Sequence, residues 1–243
     1  MIAFEYPLIE KSRNYLRFEL LFSQIHQSIS FQHESDAVSY FKALFELIEL
    51  SERSDIRHDL AKDLRELSEQ MKSWLGHDAV DKEAVTALIE ESSELMSALL
   101  VMPKQIKFFK NSRFLTSLKQ RFFIPGGCCN FDVPMFHFWL AQPAEKCQLD
   151  AERWLKHFST LDKALSLFLK IKRSQGVKSK QHAKNGFFQD EIKQALFVTI
   201  NVEQALQVYP TISGHKDRYS IRFMKVDEEN THADSTDFEQ VLC

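Results

Sequence analysis

Ser213-Gly-His-Lys-Asp-Arg-Tyr-Ser-Ile-Arg-Phe-Met224 alternates polar or charged residues with large apolar ones over its second half. In a strand, successive side chains point to opposite faces. That period puts Lys216, Arg218, Ser220 and Arg222 on one face and Tyr219, Ile221 and Phe223 on the other. The apolar face predicts docking onto a core, so this stretch demands a sheet. Cations two residues apart on a strand lie roughly 6–7 Å from each other, and they repel unless something anionic sits across them. The cationic face is therefore either a preset docking surface or the solvated outside of an edge strand, where basic residues block aggregation. His215 precedes Lys216 in an expected turn and is a candidate for a turn or binding role.

Outward from this stretch, Pro210 and Gly214 punctuate the chain before the strand. Phe187-Phe188-Gln189 and Ala195 to Asn201 read as further strands. Residues 174–184 are polar and basic and read as a mobile loop. Residues 226–236 have almost no apolar content and read as a loop or disordered segment. Pro125-Gly126-Gly127 is a turn signal. Beyond it Phe136, Phe138 and Leu140 alternate with His137 and Trp139, which predicts a strand buried on both sides.

The first hundred residues read as helix. Phe18, Leu21, Phe22, Ile25 and Ile29 form one helical stripe, and Phe41, Leu44, Phe45 and Ile48 another. Ile56, Leu60, Leu64, Leu67, Met71 and Trp74 form a heptad-like seam suited to packing along a second helix. Val85, Leu88, Ile89, Met96 and Leu99 mark a helix that ends near Pro103. A later stripe runs through Trp154, Phe158, Leu161, Leu165 and Phe168. Cations follow in its last turn, where they suit the helix dipole. The expected fold class is α+β: an N-terminal helical domain plus a β-strand domain, an antiparallel sheet or sandwich, with an inserted helix. Residues 1–112 and 148–180 make up the helical domain; residues 113–147 and 181–243 make up the strand domain.

The 243 residues are 44% hydrophobic and 27% charged, as in ordinary globular domains. The net charge of −3 is unevenly spread. Residues 1–100 carry 10 Lys and Arg against 19 Asp and Glu. Residues 101–225 carry 21 against 9, and residues 226–243 none against 6. A basic middle between acidic ends suggests an anionic partner, or neutralisation by the acidic parts themselves. No secretory signal and no apolar run long enough to span a bilayer is evident. Cys128, Cys129, Cys147 and Cys243 make no disulfide framework, and adjacent cysteines chelate one zinc poorly. Glycine-rich phosphate motifs are absent. No enzyme, no cofactor and no metal is expected. A nucleic-acid-binding role for residues 101–225 stays open as the alternative to a protein-interaction role.

Arg121-Phe-Phe-Ile-Pro-Gly-Gly-Cys-Cys-Asn-Phe-Asp132, Tyr209 to Met224, Asn185-Gly-Phe-Phe-Gln-Asp190 and Phe4-Glu-Tyr-Pro-Leu8 together resemble the ZapD family of cell division proteins, over essentially the whole chain. The resemblance implies a cytoplasmic, non-enzymatic homodimer at the midcell division ring, active in septation. It implies binding to the C-terminal tail of the tubulin-like GTPase FtsZ and bundling of FtsZ filaments. It places Arg218, Arg222, Arg53 and Arg113 among the tail-binding residues, with Lys216 and His215 beside the first two. The helical domain is then expected to dimerise, through the Ile56–Trp74 seam and the first helix. The strand domain is expected to bind the partner.

Overall fold

The structure is a computed structural model and describes residues 1–78, 80–103, 106–192, 195–215, 217–227 and 231–243. The fold is α+β, as expected. Helices α1 (Glu10–Ser28), α2 (Glu34–Arg53), α3 (Arg57–Trp74), α4 (Lys82–Val101), α5 (Ile106–Asn111), α6 (Arg113–Phe122), α7 (Pro134–Leu140), α8 (Ala144–Leu155) and α9 (Ser159–Ser174) run through the first two thirds. Strand β1 (Ile2–Pro7) precedes them. Strands β2 (Val177–Ala183), β3 (Phe187–Glu191), β4 (Phe197–Val202), β5 (Val208–His215), β6 (Arg218–Lys225) and β7 (Thr236–Leu242) follow. The chain divides into a strand unit, Met1–Leu16 with Leu169–Cys243, and a helical unit, Arg17–Phe168. The division falls inside α1 and α9.

The strand unit contains two antiparallel sheets, ordered β1-β4-β7-β2 and β3-β6-β5. Its core joins Tyr219, Ile221 and Phe223 of β6 to Val198, Ile200 and Val202 of β4 and Phe238 of β7. The N-terminus is strand rather than helix at Ile2–Pro7, because Phe4 and Tyr6 pack on this core while β1 pairs with β4. Residues 177–183 are also strand, not loop. Their alternation is masked because the inward positions are Ser179, Gln181 and Ala183, while Lys178, Lys180 and His182 stay exposed. The acidic C-terminus supplies the partner strand. Register sets Lys180 against Glu239 and His182 against Asp237, and His182 Nδ1 lies 2.6 Å from the Asp237 carboxylate. A tight turn at Asn185-Gly186, both with positive φ (52° and 68°), joins β2 to β3. In the loop after β6, the Asp227 carboxylate accepts bonds from the Thr231 N–H and hydroxyl; residues 228–230 of the expected 226–236 loop lie outside the described residues.

The helical unit is built around aromatic rings. Phe41, fully buried on α2, meets Phe136, Trp139 and Trp154 at centroid distances of 5.4, 5.3 and 5.6 Å. The adjacent Tyr40 hydroxyl donates to the Ala151 carbonyl at 2.8 Å. Residues 113–147, expected as strands, are helical. Ser112 caps α6 by accepting the Leu115 N–H. Pro134 stands at the first turn of α7, where its fixed φ suits a helix and its missing N–H costs nothing. The run Phe136–Leu140 then buries its i, i+3 pair, Phe136 and Trp139, and leaves Phe138 68% exposed. The Trp139 indole N–H donates to Asp150 at 3.2 Å. The α3 seam is helical as expected but is spent inside the chain. Leu60, Leu64, Leu67 and Met71 are each at most 1% exposed, and α3 packs against α4. Those four side chains are therefore already covered within the chain.

A polar latch closes the turn before α3. The Arg57 guanidinium donates to both oxygens of Asp55, at 2.8 and 2.6 Å, and to the Met102 carbonyl beyond α4. This hydrogen bonding holds the Asp55 carboxyl well below its ordinary range, at about 2. A depressed carboxylate adds stability that is present above its unfolded value and lost as pH falls through the folded one. Asp55→Asn is expected to cost about 1 kcal/mol near neutral pH, after discounting for solvent screening at a part-exposed pair. The same change should flatten the fall in stability between about pH 4 and pH 2, as followed by urea denaturation. Gly186→Ala is expected to cost about 1–3 kcal/mol in the same assay. An added Cβ would lie 2.5 Å from the Ala233 carbonyl oxygen, at a φ that side chains rarely adopt.

Candidate protein-interaction face

β6 is bonded along both edges. The Phe223 N–H donates to Gly186 and its carbonyl accepts from Ala233, so both groups point away from β5. Alternation then assigns the odd residues of β6 to β3 and the even ones to β5. The register agrees: Arg222 faces Thr211, Ser220 faces Ser213 and Arg218 faces His215 on β5. With no backbone group left over, β6 is held straight between two neighbours. Its side chains split as the sequence predicts. Tyr219, Ile221 and Phe223 are at most 1% exposed. Burial of three such side chains contributes about 1.5–3 kcal/mol each. Tyr219 sits in the core yet stays satisfied, because its hydroxyl donates to Gln240 Oε1 at 2.7 Å. That burial raises its pKa and keeps the phenol protonated.

The opposite face presents Arg218 and Arg222, both exposed, on either side of a half-buried Ser220. Ser213 and Ser220 hydroxyls lie 2.9 Å apart and tie the centre of the face together. The Arg222 guanidinium stands 5.8 Å from the ring centroid of Phe187, its partner across β3, which is itself 43% exposed. Glu191 is opposite Arg218 in register, yet among the described residues no ion pair reaches either arginine. Other cations of the basic segment are matched by the acidic ends of the chain. Arg173 holds Glu5 through two bonds of 3.0 and 2.7 Å, Lys110 meets Glu52 at 3.3 Å, and Lys225 meets Asp234 at 3.2 Å. Part of the basic middle is thus neutralised internally, and the β6 face is a part that is not.

The remaining predicted residues fall elsewhere. Lys216 lies outside the described residues, and of His215 only the backbone position at the end of β5 is described. Arg53 and Arg113 belong to the helical unit. Arg53 stands in the last turn of α2, is 75% exposed and pairs with Glu49. It borders an open groove of about 470 Å³ that is also lined by Arg17, Leu20 and Phe123. Arg113 opens α6, a position where the helix dipole disfavours a cation. Among the described residues it has no ion-pair partner to offset that cost. The sequence reading passed over Lys178 and Lys180, whose strand was hidden by its polar inward side chains, and over the exposed Leu20 and Phe123.

Cys128 and Cys147 are not activated nucleophiles. Cys147 is buried with its thiol 3.2 Å from the Trp139 carbonyl, and burial raises both its pKa and that of Cys128. Among the described residues, no three His, Cys, Asp or Glu side chains cluster for a metal, and no helix is long and apolar enough to cross a membrane.

Fold and face together define an α+β protein with a largely helical unit and a strand unit whose sheet presents arginines that have no ion-pair partner among the described residues. A family model described as the cell division protein ZapD matches residues 16–222. Proteins named cell division protein ZapD are 41% identical in Pectobacterium carotovorum (231 residues, 95% of this chain and 92% of the relative) and 38% in Vibrio vulnificus (240 residues, 99% and 98%). The Shigella flexneri protein of that name is 35% identical over 243 residues, 100% of this chain and 98% of its own. The chain belongs to the ZapD family of cell division proteins.

Proposed function

We propose that this chain binds the C-terminal tail of FtsZ through the β6 face. As a homodimer it then crosslinks and bundles FtsZ filaments, supporting Z-ring assembly and septation at midcell in the cytoplasm. The role is one of binding, not catalysis. The observation that carries the reading is the pair Arg218 and Arg222: exposed, on one face with Ser220 between them, backed by a buried core and unmatched by a carboxylate among the described residues. An arginine fork holds a carboxylate through two parallel hydrogen bonds, which suits capture of a peptide. Lys216 and His215, next to Arg218 in the sequence, contribute to the same contact, and Arg53 and Arg113 are secondary contacts on the helical unit.

Affinity at one face is modest, since each exposed ion pair contributes about 0–1 kcal/mol. Two faces on a dimer and many tails on a filament raise apparent affinity by roughly 10²–10⁴ without a new contact. Self-association has support in the connection from α6 to α7. Phe123, Ile124 and Phe131 there, with Met135 and Phe138 of α7, are 53%, 46%, 77%, 40% and 68% exposed, a concentration of bare apolar side chains that water disfavours.

Fluorescence anisotropy with a labelled FtsZ tail peptide tests the face. Arg218→Glu/Arg222→Glu is expected to weaken binding at least about ten-fold with the fold unchanged, and added salt should weaken the wild type. Equal binding by both proteins would move the site off β6. Sedimentation tests the dimer. Phe131→Ser/Phe138→Ser should shift the chain toward monomer, keep peptide binding and lose bundling; a variant that remains dimeric would place the interface elsewhere.

A further inference from the structure

The strand unit has four sheet edges, and three are guarded. Hydrogen-bond alternation turns the backbone groups of Lys178, Lys180 and His182 outward on β2, so that edge carries cations. The outer edge of β1 carries Glu5 and Pro7. On β3 the outward N–H of Phe187 already donates to Lys184, and that of Glu191 donates to the Asp190 carboxylate at 2.8 Å. β5 differs. Val208-Tyr-Pro-Thr-Ile-Ser-Gly214 contains no Asp, Glu, Lys or Arg. The alternation set by β6 turns Val208, Pro210, Ile212 and Gly214 outward, and among the described residues no backbone or side-chain group bonds to this edge. Pro210 occupies an outward position, where its missing N–H leaves the β5–β6 ladder intact.

We propose that the outer edge of β5, over Pro210–Gly214, takes an extended, carboxylate-bearing peptide as a fourth strand of the β3-β6-β5 sheet. The proposal rests on the FtsZ-tail reading above and specifies its binding mode. The edge offers the Pro210 carbonyl and the N–H and carbonyl groups of Ile212 and Gly214. Main-chain hydrogen bonds supply affinity in such strand addition, and alternate side chains supply selectivity. Charge complementarity selects the occupant. An added strand lies two strand spacings, about 10 Å, from β6. The described side chains between them on the cationic face are the short Thr211 and Ser213, so long side chains can meet across that part of β5. Arg222, opposite Thr211, turns from Phe187 to reach across it, and Arg218, opposite His215, flanks the end of the edge. On the reverse side, the Tyr6 ring lies 4.0 Å from where a Gly214 Cβ would stand, giving apolar ground to the peptide's other face.

The test uses the full chain and an FtsZ tail peptide methylated on one backbone nitrogen at a time. Affinity is expected to fall at least ten-fold at every second residue and to hold between, the parity reporting strand direction. Ile212→Pro removes one outward N–H while sparing the ladder and should weaken the unmodified peptide similarly, with circular dichroism showing the fold retained. Uniform tolerance of methylation, with binding still lost in Arg218→Glu/Arg222→Glu, overturns strand addition and leaves the parent reading standing. Failure of the unmodified peptide to bind overturns both.

Discussion

β6 must satisfy hydrogen-bonding partners on two edges and a core on one face. Those demands leave its fourth side, the outer face, free of structural duty. Arg218 and Arg222 stand there because their neighbours Tyr219, Ile221 and Phe223 point inward and cannot share a face with them. A one-residue slip would bury both arginines and expose the three apolar residues, at a cost no local adjustment repairs. The stability of the strand unit and the placement of its cations are thus one constraint.

Charge organises the molecule at a second level. The basic middle and the acidic ends are complementary in sequence, and folding partly brings them together. Glu5 meets Arg173, Glu52 meets Lys110, and the C-terminal carboxylates line up against β2 and Lys225. What escapes neutralisation is therefore a selected residue of the charge and not its average. A net charge of −3 conceals a local cationic surface for that reason. The same pairing weighs against reading the whole of residues 101–225 as one electropositive field for nucleic acid.

The helical unit solves a different problem. Its aromatic residues are numerous enough to need a common centre, and Phe41 provides it for Phe136, Trp139 and Trp154. Polar atoms inside it are bonded, as at Tyr40 and Trp139, so the cluster costs no unsatisfied group. The bare phenylalanines are Phe123 and Phe131 in the connection from α6 to α7, and Phe138 on α7.

Periodicity by itself determined the helices of residues 10–101, the helical character of the stretch through Trp154 and Phe168, which the structure divides into α8 and α9, and the two-faced character of β6, because their apolar spacing is strong and local. It determined the identity of Arg218 and Arg222 as a pair on one face. It misread Phe136–Leu140, where five bulky residues fit either period and only Pro134 and the position of Phe41 decide. It missed β2, whose inward residues are polar or small and whose partner strand lies some sixty residues away. It marked the α3 seam for packing along another helix, and that helix is α4 of the same chain. Which cations find carboxylates, and which sheet edge stays open, were decided by tertiary structure alone. Both depend on register and on contacts between distant segments, and a sequence records side-chain type at each position but not which neighbours the fold will supply.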